Sequence, residues 1–159
     1  MRDLGRMVGM TAAAVLIAAC GDEGGDHPCA DGGCICEEQN LCQIDCDADD
    51  CLLDCAGASI CDLTCGDFCE YSCVDSSECY LGCGDACAAT CDSVSTCEVD
   101  CGDDCDVVCD SLSACRVTML SGVAVCNSVS ECTIDCIVPG GLEAAEDCGD
   151  GVFACGGCP

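Results

Sequence analysis

The amino-acid sequence predicts an all-β chain, a narrow disulfide-stapled β-solenoid of about five 18-residue coils with a C-terminal cap. Three observations carry this. Cysteines recur at steps of 4, 4, 4 and 6 from Cys61 to Cys115, a period of 18 residues. Each repeat holds two segments of the form C-x-Φ-x-C, mostly with an apolar Φ, so Cys, Φ and Cys share one face of a strand with period 2. Finally, 27 of the 159 residues are Cys while aromatic residues make up 3%. A core packed with Leu and Phe is therefore out of reach, and this Cys density in a short chain belongs to a disulfide scaffold.

The chain opens with Arg2 and Arg6 ahead of an apolar run of 12 residues, Val8 to Ala19. The run is too short for a membrane span, which takes about 20 residues, and suits a secretory signal. It ends in Ile17-Ala18-Ala19-Cys20. This ending resembles the lipobox of bacterial lipoproteins, an aliphatic residue and two small ones before a Cys. The resemblance covers the first 20 residues. It implies cleavage after residues 1–19 and lipid on the sulfur and amine of Cys20. An ordinary signal peptide cleaved nearby is the competing reading, and Ile17 fits it poorly. Removing Cys20 leaves 26 Cys, an even number that can pair completely. Residues 20–28 are then a lipid-attached tether, polar and Gly-rich from Gly21 to Pro28. Gly21 in place of Asp after the lipidated Cys points, by analogy with lipoprotein sorting in Gram-negative bacteria, to the outer rather than the inner membrane. The expected location is the cell envelope, with the membrane as partner through Cys20.

Residues 29–41, with Cys29, Cys34 and Cys36, read as an N-terminal cap. The repeats occupy 42–136. Three regular copies align as CDLTCGDFCEYSCVDSSE (61–78), CYLGCGDACAATCDSVST (79–96) and CEVDCGDDCDVVCDSLSA (97–114). The copy at 42–60 has one extra residue in its short turn and the copy at 115–131 has one fewer. A helix with Cys at every fourth position is the competing reading. It would place Gly66, Gly84 and Gly102 mid-helix, at about 1 kcal/mol each. Strand–turn–strand uses them as turn residues instead. Each coil is thus two short strands face to face. A three-residue Gly-Asp-x turn closes one end and a five-residue Asp-Ser-Φ-Ser-x turn the other. Ser59, Ser77, Ser95, Ser113 and Ser130 are expected on the inner face, two positions before the next Cys. Coils stack by parallel pairing about 4.8 Å apart. Insect antifreeze solenoids resemble this architecture, though their period and turn sequences differ.

Bridges between the strands supply the stability that a thin rod cannot draw from apolar burial. The copy at 115–131 lacks the second and third Cys together, with Met119 and Gly122 in their places. Simultaneous loss marks them as partners, which predicts Cys46–Cys51, Cys65–Cys69, Cys83–Cys87 and Cys101–Cys105. The first and fourth Cys of a coil stay open between closure within the coil (61–73, 79–91, 97–109) and a bridge to the next (55–61, 73–79, 91–97). The Cys left without an assigned partner are therefore Cys29, Cys34, Cys36, Cys42, Cys55, Cys61, Cys73, Cys79, Cys91, Cys97, Cys109, Cys115, Cys126, Cys132, Cys136, Cys148, Cys155 and Cys158. Residues 137–159 form the C-terminal cap, which begins where Pro139-Gly140-Gly141 breaks the repeat and hides the last open edge.

The net charge of −28 rests on 31 acids against Arg2, Arg6 and Arg116. Such a surface repels phosphate backbones, so no nucleic-acid partner is expected. Catalysis has poor material. There is no Lys, and the single His, His27, sits in the tether beside Pro28. Cys155-Gly156-Gly157-Cys158 has redox-motif spacing without the strand–helix context that such motifs need. Metal sequestration by thiolates, as in metallothioneins, is the alternative function. Those proteins carry C-x-C clusters and many Lys, whereas C-x-C occurs here once, at Cys34-Ile35-Cys36. Asp49, Asp67, Asp85 and Asp103 occupy equivalent turn positions and form a candidate calcium-type ladder. Asp45 to Asp50 resembles the start of an EF-hand loop but lacks its Gly and distal Glu. An ice-binding face would need regular Thr pairs, and the outward pairs are irregular. The expectation is a non-enzymatic, lipid-anchored envelope protein without a cofactor, calcium apart. It would be a rigid acidic rod with a structural role or a protein partner at the surface.

Overall fold

The structure, a computed structural model, describes residues 33–37, 40–46 and 49–159. The lipobox, Cys20, His27 and Cys29 lie outside the described residues. Every regular element described is a strand. One sheet contains β1 (Gly33–Glu37), β3 (Leu52–Ala56), β5 (Glu70–Val74), β7 (Ala88–Asp92), β9 (Cys105–Asp110), β11 (Gly122–Asn127), β15 (Val152–Cys155) and β14 (Glu146–Gly149), in that order across the sheet. The other contains β2 (Leu41–Cys46), β4 (Ile60–Cys65), β6 (Glu78–Gly82), β8 (Thr96–Cys101), β10 (Ala114–Met119), β12 (Glu131–Val138) and β13 (Gly141–Ala144). From β1 to β12 the chain alternates between the sheets and every pairing is parallel. That is a β-solenoid, and at about 4.8 Å per coil the stack is about 30 Å long.

The repeat sets the register. Cys42, Cys61, Cys79, Cys97, Cys115 and Cys132 stand in one interior row. Ile44, Leu63, Leu81, Val99, Val117 and Ile134 stand in the next. The facing sheet presents Leu53, Tyr71, Ala89, Val107 and Ala124. The bulk of Tyr71 is offset by the small Ala89 beside it. β1 extends the solenoid through residues that read as a cap in the sequence. Cys34 pairs with Leu53 and Cys36 with Cys55, so Cys34 takes the Φ position and hides the repeat.

Both turns depend on one left-handed residue. In the short turn Asp50, Phe68, Ala86 and Asp104 have φ between 56° and 61°. Their position aims the amide along the rod: Phe68 N–H donates to Asp85 O at 2.8 Å and Ala86 N–H to Asp103 O at 2.7 Å. Gly66, Gly84 and Gly102 have no positive φ. Room is what the glycine supplies, because a Cβ on Gly84 would strike the Asp67 carboxylate of the coil before. In the long turn Asp75, Ser93, Ser111 and Ser128 are left-handed, with φ of 53–60°. That residue breaks the period-2 alternation. Ser59, Ser77, Ser95, Ser113 and Ser130 are consequently exposed, and their preceding neighbours Ala58, Ser76, Val94 and Leu112 are buried instead.

Disulfides close the coils. Fourth-to-first bridges join Cys36–Cys42, Cys55–Cys61, Cys73–Cys79, Cys91–Cys97, Cys109–Cys115 and Cys126–Cys132. Second-to-third bridges join Cys46–Cys51, Cys65–Cys69 and Cys101–Cys105. Cys34 is disulfide-bonded as well. The expected Cys83–Cys87 bridge is not formed, and both residues are free thiols. Two contacts lie beside this pair. The Cys83 Sγ is turned along the rod to 3.2 Å from Cys101 Sγ. From the coil before, the Tyr71 hydroxyl crosses the interior to donate to Gly82 O at 2.6 Å, next to Cys83.

The C-terminal segment covers the open edges with antiparallel strands. The chain reverses at Pro139-Gly140, and β13 pairs with β12. β15 pairs with β11, and β14 with β15. Cys136–Cys155 and Cys148–Cys158 tie this segment to the solenoid and to itself.

Candidate functional site

Two features at the short-turn edge of the rod bear chemistry. The first is the acid row. Stacking in register places Asp49, Asp67, Asp85 and Asp103 one above another. Asp67 N–H donates to Asp49 Oδ1 at 3.1 Å, Asp85 N–H to Asp67 Oδ1 at 2.8 Å, and Asp103 N–H to Asp85 Oδ1 at 2.8 Å. The carboxylates of Asp49, Asp67 and Asp85 thus cap the backbone of the following coil, each by a charge-assisted hydrogen bond of the stronger kind. The row fastens coil to coil through an oxygen that a calcium ion would otherwise use. Among the described residues, the groups of three or more donors close enough to share an ion are sulfur groups.

The second feature is the thiol pair. Cys46, Cys51 and Cys65 form one sulfur group and Cys61, Cys73 and Cys79 another, and every sulfur in both is bridged. The third group, Cys83 with Cys101 and Cys105, contains a free thiol. Cys83 is half-buried and Cys87 is buried. Burial pushes the Cys83 thiol well above its ordinary value, and Cys87, Asp67 and Asp85 push it further. Cys87 Sγ lies among backbone oxygens, 3.6 Å from Asp85 O and 3.8 Å from both Gly66 O and Gly84 O. The phenol of Tyr71 is also pushed up, first by burial and then by Cys83 and Cys87. Cys83 and Tyr71 therefore hold their protons at neutral pH, and Cys83 is a poor nucleophile as it stands. The sequence carries one hint of them. Tyr71 is the lone aromatic at a Φ position of the repeats, and it stands one coil from Cys83.

On the outer face, Asp62, Thr64, Tyr80, Glu98 and Asp100 line a groove of ≈ 360 Å³ over Gly82, where a side chain is missing. Tyr80 is held at its rim by donating to Glu78 Oε2 at 3.0 Å. Arg116 stands in the same row as Glu98, next along the sheet. Cys155 and Cys158 are both bridged, to Cys136 and Cys148, which leaves no dithiol in the C-x-x-C segment. Comparison with family models, with curated proteins and with solved structures found no match.

Proposed function

We propose that this chain is a non-enzymatic, lipid-anchored rod of the bacterial cell envelope, held through Cys20, with a structural role or a protein partner at the surface. The observation that carries the reading is the in-register parallel stack with a covalent bridge at the long-turn end of successive coils. Such a stack stays rigid with little apolar surface, which suits a spacer or a display element better than a site that must move. The extensive bridging accords with an oxidising compartment. Two free thiols among the described residues favour a rod over sequestration of many metal ions. The Arg2, Arg6 and Ile17-to-Cys20 pattern supports the anchor, and Gly21 the outer membrane. The test has two arms. Feeding labelled fatty acid to cells should label the protein and not a Cys20→Ser variant. The unreduced protein should resist a protease that cuts at acidic residues and become digestible once reduced. Unlabelled protein would overturn the anchor, and rapid cleavage within the unreduced coils would overturn the rod.

A further inference from the structure

We propose that Cys83 and Cys87 form a binding site for one divalent, thiophilic metal ion of the zinc class. In the coils on either side, the equivalent residues Cys65 and Cys69 are bridged, as are Cys101 and Cys105, each pair with Cα atoms 6.5 Å apart. The turn therefore brings two sulfurs face to face, and in this one coil it leaves both as thiols. Main-chain oxygens lie around Cys87. For tetrahedral zinc, a sulfur and an oxygen on the same ion stand about 3.6 Å apart, from bond lengths of about 2.3 and 2.1 Å. Cys87 Sγ has Asp85 O at 3.6 Å and Gly66 O and Gly84 O at 3.8 Å. Gly66 O and Gly84 O each accept one amide of the coil stack, from Gly84 and Gly102, and each carbonyl has a second lone pair. Cys101 is near but bridged, so it brings no thiolate.

Charge selects the ion. Binding releases one proton from each thiol, so two protons leave as one divalent ion enters and the site stays neutral. A monovalent ion held by both thiolates would leave a net negative charge beside Asp67 and Asp85. Arg116 is the one Lys or Arg among the described residues, and it lies on the outer face of β10, two strands along the sheet from β6. The acidic surface attracts divalent cations, and half-buried Cys83 gives a way in.

The test uses the full chain, isolated without reductant, loaded with zinc alone and then desalted. We expect about one zinc per chain, about two protons released, and alkylation of Cys83 and Cys87 slowed about tenfold until a chelator is added. Cobalt in place of zinc should give the near-ultraviolet thiolate band of a sulfur-bound ion. A Cys83→Ser, Cys87→Ser double variant should lose the zinc and the cobalt band. Alkylation of the unaltered protein requires no variant to fold. Absent zinc, unchanged alkylation, full zinc binding by the double variant, or a Cys83–Cys87 disulfide in the isolated protein would each overturn the proposal.

Discussion

Single residues decide where the coils deviate from one another. Tyr71 is fully buried, the largest such side chain in the interior, and its hydroxyl donates to Gly82 O at 2.6 Å. Tyr71→Phe keeps the ring but leaves that carbonyl without the phenol, at a cost of about 1 kcal/mol. The phenol also ties stability to pH. Its folded pKa lies above the ordinary 10.0, chiefly through burial. An unfolded chain would therefore lose this proton first. The contribution is complete below about pH 10 and is lost as pH rises from there towards the folded value. Tyrosinate absorbance and circular dichroism, followed together and compared with Tyr71→Phe, should show Tyr71 ionising only as the strands unfold. Ionisation near the ordinary value with the dichroism unchanged would refute its burial. Gly122 offers a second residue-scale test. It has φ of +132°, and a Cβ there would collide with the backbone oxygen of Cys105. Gly140 has φ of +121° with nothing within 4 Å. Gly122→Ala should lower stability by about 2–3 kcal/mol, and Gly140→Ala by about 1, from strain alone. Equal shifts in thermal melting would contradict the close approach of these two strands.

At the scale of strands and turns, what the sequence reveals is what the 18-residue period fixes. The cysteine rows, the Φ rows and the two turns follow from it, because a one-residue slip would send every interior side chain outward. The long-turn serines were not legible for a local reason. One left-handed residue in each turn resets the alternation, and residues such as Ser93 and Asp75 adopt φ > 0 without the Gly that would announce it. β1 was hidden because Cys34 stands where an apolar residue stands in later coils. The free thiols were not legible because Cys83 and Cys87 have the same spacing as the bridged pairs. What differs is in neighbouring coils, in Tyr71 and Cys101. The second-to-third Cys pair is absent altogether from one coil, where buried Met119 and half-buried Gly122 stand in its place. Cys65→Ala with Cys69→Ala should therefore cost about 2 kcal/mol, the entropy of a short closed loop. Either single change should do worse, since the stranded thiol can exchange with nearby bridges. A double variant that misfolds as badly as the single ones would count against this partnership.

Across the whole molecule, the account is of a covalently stapled rod whose bridges run across each coil and not along the axis. The alternative is physically close. Cys61, Cys73 and Cys79 sulfurs lie within 4.8 Å of one another, so an axial bridge or closure within the coil would need only a small sulfur movement. The three patterns differ in what they do to the molecule. Cross-coil bridges leave adjacent coils joined by backbone hydrogen bonds and by the Asp49, Asp67 and Asp85 caps. Axial bridges would make the stack a continuous covalent ladder, and closure within a coil would make separate rings. The most direct measurement is disulfide mapping of the unreduced protein by mass spectrometry, after cleavage before Asp and with free thiols blocked at low pH. The account predicts Cys55–Cys61, Cys73–Cys79, Cys91–Cys97 and Cys109–Cys115, each closing over six residues. Recovery of Cys61–Cys79, Cys61–Cys73 or their equivalents in the other coils would contradict it.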